Sequence, residues 1–246
     1  MISVTILTKD SADTIQKTLE STNQFNEVIV LDSGSSDNTL KIARTFPNVK
    51  IHQKEFTTFG EMKNAAAKLA KNDWVLSLDS DEELSLALIE NLLYQNLHSD
   101  CVYEFPFHNF FNGKWIKHAG WYPDKHIRLY NRKKTHFSAA NLHEKILEKD
   151  LKIVRIKHPI NHYSYRNMSH FLSKMQLYSS LFAKEHQYKK KSSFIRACVH
   201  GFFAFIKTYI LKRGFLSGKE GFLIAVYNAN TAFYKYLKLA EANKQL

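Results

Sequence analysis

Short apolar, β-branched runs alternate with amphipathic stretches through the first hundred residues, and this alternation limits the possible fold more than any other feature. Ile2–Leu7, Glu27–Leu31, Val49–His52 and Trp74–Leu78 read as strands. Asp13–Ser21, Thr39–Phe46, Gly60–Lys71 and Leu84–Leu97 read as helices, with sets such as Met62, Ala65, Ala66 and Leu69 at helical spacing. Strands and helices in this rhythm predict an α/β fold, with a largely parallel sheet covered on both faces. Ligands of such sheets bind beyond the carboxyl ends of the strands. After Asp100 the style changes. Tyr103, Phe105 and Phe107 alternate along one run, Asn112-Gly113 signals a type I′ hairpin, and His126–Tyr130 and Leu151–Ile156 add strands of an antiparallel, mixed region. From about Ser169 the pattern is helical.

Charge is distributed unevenly. The net charge is +12, yet residues 151–246 hold 17 Lys/Arg against three acids, a balance of +14, while residues 1–150 hold 18 against 20, or −2. A near-neutral body with a basic tail points to an anionic surface: membrane lipid, anionic glycan or nucleic acid. The 18 Phe and 12 Tyr require a large core, an apolar contact surface, or both. Cys101 and Cys198 stand far apart without zinc spacing, the pattern of isolated thiols in a reducing compartment. The strand-like start has no basic n-region and no cleavage site, so a cytoplasmic location is expected.

Two segments carry chemistry. Asp79-Ser80-Asp81-Glu82-Glu83 follows the apolar run Trp74–Leu78, which places two carboxylates one residue apart at a strand's carboxyl end. Mg²⁺ and Mn²⁺ take oxygen ligands, usually one or two carboxylates together with substrate phosphates. The plainer alternative is that these acids only favour the dipole of the next helix. In Glu27–Thr39 (EVIVLDSGSSDNT) a strand ends at Asp32, which can accept hydrogen bonds from a ribose or base, and a turn of small residues allows close approach of a nucleotide. Its plainer alternative is a turn with Asp37 as helix N-cap.

In this order and spacing the segments resemble glycosyltransferase family 2, over Ile2 to about Tyr165. Ile2–Asp10 (ISVTILTKD) looks like the family's first strand and nucleotide-contacting loop, EVIVLDSGSSDNT like its second-strand motif, and GEMKNAAAKLAKNDWVLSLDSDE like its helix–strand–DxD block. The resemblance implies a GT-A (Rossmann-like) domain at 1–165, with a mixed, largely parallel sheet flanked by helices, and a helical extension at 166–246. It implies Thr8, Asp10 and Asp32 at the nucleoside, and Lys63 near the diphosphate. Asp79 would meet the ribose or the metal, and Asp81 the Mg²⁺ or Mn²⁺ that bridges the phosphates. Ser33 stands where many members have a second Asp, which bears on the choice of base.

Gly120–Arg132 (GWYPDKHIRLYNR), Asn141-Leu142-His143-Glu144 and Pro159–Tyr165 (PINHYSY) resemble more narrowly the lipopolysaccharide core β-glucosyltransferases, the WaaE/KdtX-like branch. That implies an inverting transfer of a hexose, glucose from UDP-glucose, to an inner-core acceptor on a lipid-linked glycan. Such a transfer needs one general base on the acceptor hydroxyl. Glu144 is the first candidate and Asp124 the second. His162 can reach the metal or a phosphate, and Arg128 a phosphate or acceptor anion, although each also fits a structural role. A polyprenyl-phosphate glycosyltransferase is the alternative within the family, and His143-Glu144 argues mildly against it.

In the tail, Phe194–Leu211 (FIRACVHGFFAFIKTYIL) is rich in large apolar residues but is interrupted by Arg196, His200 and Lys207. Its uninterrupted stretches fall short of the roughly 20 residues a span needs. Lys189-Lys190-Lys191 before it and Lys212-Arg213 after it complete the signature of a helix lying in an anionic membrane interface. A cap packed on the catalytic body fits the same pattern. The expected location is peripheral, on the inner face of the cytoplasmic membrane. The aromatics lie on an apolar face with no RNP-like or zinc motif beside them, so no nucleic-acid partner is expected.

Overall fold

The computed structural model describes residues 1–138, 144–165 and 168–244. They fall into two compact units, one made of 1–107 and 124–163, the other of 108–123 and 164–246.

The first unit opens with β1 (Ile2–Thr8), α1 (Ile15–Glu20), β2 (Val28–Asp32), α2 (Thr39–Ala43), β3 (Val49–Gln53), α3 (Phe59–Leu69) and β4 (Trp74–Asp79). It continues through β5 (Glu82–Leu84), α4 (Leu86–Tyr94) and β6 (Cys101–Phe111), whose residues from His108 on count with the second unit. The short β7 (Lys114–Trp115) belongs to the second unit; β8 (Lys125–Asn131), β9 (Lys152–Arg155) and β10 (Ile160–Tyr165) follow. The sheet order is β3-β2-β1-β4-β8-β6-β10-β5, with β9 beside β6. β1 to β4 are mutually parallel, whereas β8 runs antiparallel to β4 and to β6. The largely parallel, mixed α/β sheet expected from the alternation is present.

Side chains sort by the two-residue period of a strand. Val28 and Val30 face a core with Ile15 and Leu19 of α1 and Leu88 of α4, while Ile29 and Leu31 face two smaller clusters that include Ala66, Ala67 and Met62 of α3. Burial on both faces explains why Val28–Leu31 is apolar at every position.

Neither β5 nor β10 shows an apolar strand pattern in the sequence. They form an antiparallel ribbon with Glu82 opposite His162 and Leu84 opposite Ile160. Leu84, expected to open a helix, ends a strand instead, and α4 begins at Leu86 behind the N-cap Ser85.

In the second unit, β6 and β7 form the hairpin that Asn112-Gly113 signals. Both turn residues have positive φ, 50° and 72°, as a type I′ turn requires. Three helices follow: α5 (Met168–His186), α6 (Phe194–Ile206) continued by a π-helical turn at Lys207–Leu211, and α7 (Lys219–Ala242), which a 3₁₀ turn at Gly214–Ser217 precedes. Phe111, Ile116 and Ala119 share a core with Phe171 of α5 and Ile224 of α7. Residues 108–123 thus belong to the helical unit.

Candidate active site

The chain lays β2 and β3 on one side of β1, then returns to place β4 on the other. At such a reversal the connections leave on opposite faces and a crevice opens at the carboxyl ends of β1 and β4. Thr8 ends β1 and Asp79 ends β4, with Leu7 opposite Asp79. Thr8 Oγ1 is buried and has no hydrogen-bond partner among the described residues.

Asp79 lies in a network of ion pairs. Lys63 Nζ from α3 sits 3.1 Å from its Oδ1, and Arg128 from β8 donates to Oδ2 at 3.1 Å. Lys63 also reaches Glu144 Oε1 at 3.3 Å, and Arg128 pairs with Glu82. The other Glu82 oxygen accepts the Asp79 amide at 3.0 Å. Burial alone raises the Asp79 carboxyl, but Lys63 and Arg128 outweigh it and hold it far below the usual carboxylate range. The side chain keeps 35% exposure, so solvent screens part of that attraction. Burial pushes the Glu82 carboxyl up to about 8, with Arg128 opposing and Asp79 adding to the rise. Both its oxygens nonetheless act as acceptors, which is the geometry of the ionised form.

Asp81 follows on the turn into β5. The β5–β10 ribbon brings His162 to it, with Nε2 3.6 Å from Asp81 Oδ1 and the Tyr163 amide donating to the Asp81 carbonyl at 2.9 Å. Asp124, just before β8, pairs with His126 Nε2 at 2.9 Å. Phe107 gathers these groups around one ring. The Arg128 guanidinium lies 5.2 Å from its centroid, and the His126 and His162 rings meet it edge-on at 4.8 and 5.9 Å. Nothing in the sequence marked Phe107 beyond its alternation with Phe105, and Glu82 was one acid in a run of acids.

The expected metal trio does not assemble. Both Asp79 oxygens are engaged by cations, Oδ1 by Lys63 and Oδ2 by Arg128. No group of three His, Cys, Asp or Glu side chains capable of holding a metal occurs among the described residues. Asp81 and His162 remain as a hard oxygen and an imidazole nitrogen, a donor set that fits Mg²⁺ or Mn²⁺ when substrate phosphates supply further ligands.

Asp32, expected at the nucleoside, is fully buried beneath its own turn. It accepts from the Gly34 and Ser35 amides at 3.0 Å, from the Ser35 hydroxyl, and from Gln53 at 3.3 Å, which leaves it little capacity for a ligand. The half-buried Asp10 carries the carboxylate at this end, and the Ser36 amide, donating at 2.7 Å, holds it below its ordinary value. Asp37 ties the two loops by accepting from the Thr39 and Ala12 amides. His143 lies outside the described residues.

Four carboxylates (Asp79, Asp81, Glu82, Glu144) thus face two fixed cations (Lys63, Arg128), a balance of −2. Even with Glu82 protonated the site is negative. A site of that charge disfavours a bare diphosphate.

Comparison with known proteins accords with this geometry. The chain is 31% identical to a protein called an uncharacterized glycosyltransferase from Rickettsia typhi, over 98% of this chain and 87% of that one. It is 30% identical to a like-named protein of Rickettsia bellii, over 99% and 87%. Among solved structures it resembles S. aureus TarS in complex with UDP-GlcNAc (TM-score 0.50, 16% identity, 99% of this chain and 89% of that one). It also resembles the mannosyltransferase PcManGT of Pyrobaculum calidifontis in complex with GDP-Man and Mn²⁺ (TM-score 0.50, 14% identity, 92% and 73%). These likenesses identify the fold as GT-A. The sequence model of Glycosyl transferase family 2 matches residues 3–151, so the chain belongs to that family and is a nucleotide-sugar-dependent glycosyltransferase.

Proposed function

We propose that the enzyme transfers a hexose, glucose from UDP-glucose, with inversion to a hydroxyl of a lipid-linked glycan of the lipopolysaccharide core type. The observation that carries the donor half is the negative site at the β1/β4 crevice, with the Asp81–His162 pair beside it. The nucleotide sugars bound by TarS and PcManGT, and the Mn²⁺ of the latter, support the same reading. Asp81 Oδ1 and His162 Nε2 would hold the cation, which when bound supplies charge stabilisation to the leaving diphosphate.

The chain's own groups have separate tasks. Lys63 and Arg128 keep Asp79 ionised and fixed at the strand end. Thr8 Oγ1 offers a hydroxyl to the nucleotide, with Asp10 beyond it. Asp124 and Glu144 are the carboxylates able to take the acceptor hydroxyl's proton. Glu144 must share or break its bridge to buried Lys63 to do so, whereas Asp124 is held by an imidazole that can accept the positive role. This favours Asp124 as base.

A thermal-shift series with UDP-glucose, UDP-GlcNAc and GDP-mannose, each with and without Mn²⁺, tests donor class and metal need together. Uridine donors should stabilise the protein only with Mn²⁺. Asp81→Asn should abolish that shift and lower transfer by roughly 10³-fold or more, since metal-borne charge stabilisation amounts to several kcal/mol. Equal stabilisation without Mn²⁺, or full activity in Asp81→Asn, would overturn the assignment.

A further inference from the structure

α6 is built inside out for a helix in water. α6 comes closest to α7 at small residues, flanked by His200 stacked on Tyr236 and Phe205 edge-on to Phe222: Ala197 is fully buried, and Gly201 lies so close to α7 that an added Cβ would sit 3.2 Å from Phe233 Cβ and 3.3 Å from the Ala229 carbonyl. Phe205, Ile206 and Tyr209 are half-buried, but other large apolar side chains point outward. Phe202 and Phe203 are 63% and 62% exposed, and Leu211 in the π-helical turn is 73% exposed. Phe215, Leu216 and Phe222 extend the exposed apolar surface through the 3₁₀ turn into α7. A soluble helix turns its large apolar stripe inward, whereas close packing through small residues with bulky ones outside is the habit of helices in lipid. The charges that accompany the patch have one sign. Arg196, Lys207, Lys212, Arg213 and Lys219 are all exposed, and the acid beside them in sequence, Glu220, is buried and paired with Lys114 at 3.5 Å and with Lys219 at 3.8 Å.

We propose that this surface, α6 with the two turns that follow it, docks on and partly enters an anionic lipid bilayer. The charge complementarity selects the occupant: basic residues beside exposed phenylalanines match acidic headgroups above acyl chains. The 18-residue stretch Phe194–Leu211 is long and apolar enough to cross a membrane by length and composition. It lies in the interface instead, because its inner face is already taken by α7, a helix that carries Asn228, Asn230, Lys235 and Lys238. The docking extends the functional reading above, whose lipid-linked acceptor must be met at a membrane face, and rests on it for nothing else.

The test is co-sedimentation of the full chain with phosphatidylglycerol–phosphatidylcholine vesicles and with pure phosphatidylcholine vesicles. Binding should require the anionic lipid and weaken with salt. Lys212→Gln with Arg213→Gln should lower affinity about fivefold per charge removed. Phe202→Gln with Phe203→Gln should lower it at least tenfold. Both variants should keep the wild-type thermal shift with UDP-glucose and Mn²⁺, a readout that separates failure of this proposal from failure of the donor assignment. In Phe203→Trp, emission should move to the blue on anionic vesicles and be quenched by brominated lipid. Absence of vesicle binding, or equal binding of wild type and both variants, would overturn the proposal. So would a dimer that Phe202→Gln with Phe203→Gln dissociates without any lipid binding, which would make the patch a self-association face. Salt-sensitive retention on nucleic acid but not on vesicles would overturn it as well.

Discussion

Asp124 and Glu144 bring the same functional group to the site with different partners, and the partner decides what each can do. A carboxylate bridged at 3.3 Å to a lysine that is only 2% exposed is a counter-ion first. One paired with the half-exposed His126 keeps a route for the proton. Asp124→Asn should therefore lower kcat by roughly 10²–10⁴, the usual worth of a positioned base, with donor affinity unchanged. Glu144→Gln should chiefly alter how Asp79 is held, raising the KM for the donor. Steady-state kinetics with both variants decides the assignment, and the reverse pattern would exchange the roles. Asp79 and Asp81 were legible in the sequence because an apolar strand ends on them. Asp32 ends a strand in the same way, yet its carboxylate is spent on Gly34 and Ser35. Which of two such acids turns back into its own turn depends on backbone geometry that strand patterning does not carry.

Among the elements, α3 organises the site from outside the sheet. Beyond Lys63, it holds the segment after β8 through Asn64, whose amide group donates to the Phe137 carbonyl and accepts the Phe137 amide, both at 2.9 Å. The Phe137–Ile146 bridge then returns the chain towards Glu144. Gly60 makes the approach possible, since a Cβ there would fall 2.0 Å from the Ser138 carbonyl oxygen. Asn64→Ala should cost about 1–3 kcal/mol in urea unfolding, because it strands two backbone groups. Gly60→Ala should displace the segment and reduce turnover even where the fold survives; unchanged stability and activity in both variants would show that the docking is incidental. The parallel strands and their helices were readable because both faces of the sheet are buried and each run is apolar. The β5–β10 ribbon was not, since Glu82–Leu84 has two acids in three residues and Ile160–Tyr165 interleaves Asn, His and Ser. Pairing, β10 with β6 on one side and with β5 on the other, makes them strands, and the β5–β10 pairing carries His162 to Asp81.

For the molecule as a whole, acid is the condition to which the fold should be most sensitive. Burial pushes the Glu27 carboxyl up, but the Ser3 hydroxyl, the Lys71 amide and Lys50 more than reverse it, so it is held below its ordinary value, as Asp79 is. A depressed carboxyl contributes stability that is present above its unfolded pKa and lost as pH falls through the folded one. Stability should therefore hold at neutral pH and decline progressively once pH drops below about 4. Denaturation curves at a series of pH values should show this fall, and Glu27→Gln should flatten it while lowering stability at pH 7.

The exposed phenylalanines and leucines around α6 also change what unfolding would expose. Their apolar area faces water in the folded chain as it does in the unfolded one, so it contributes little to the heat-capacity increment that newly wetted apolar surface produces. A calorimeter would register a chain with a smaller core than its 44% hydrophobic composition suggests, and the missing increment belongs to area that only a partner can dehydrate.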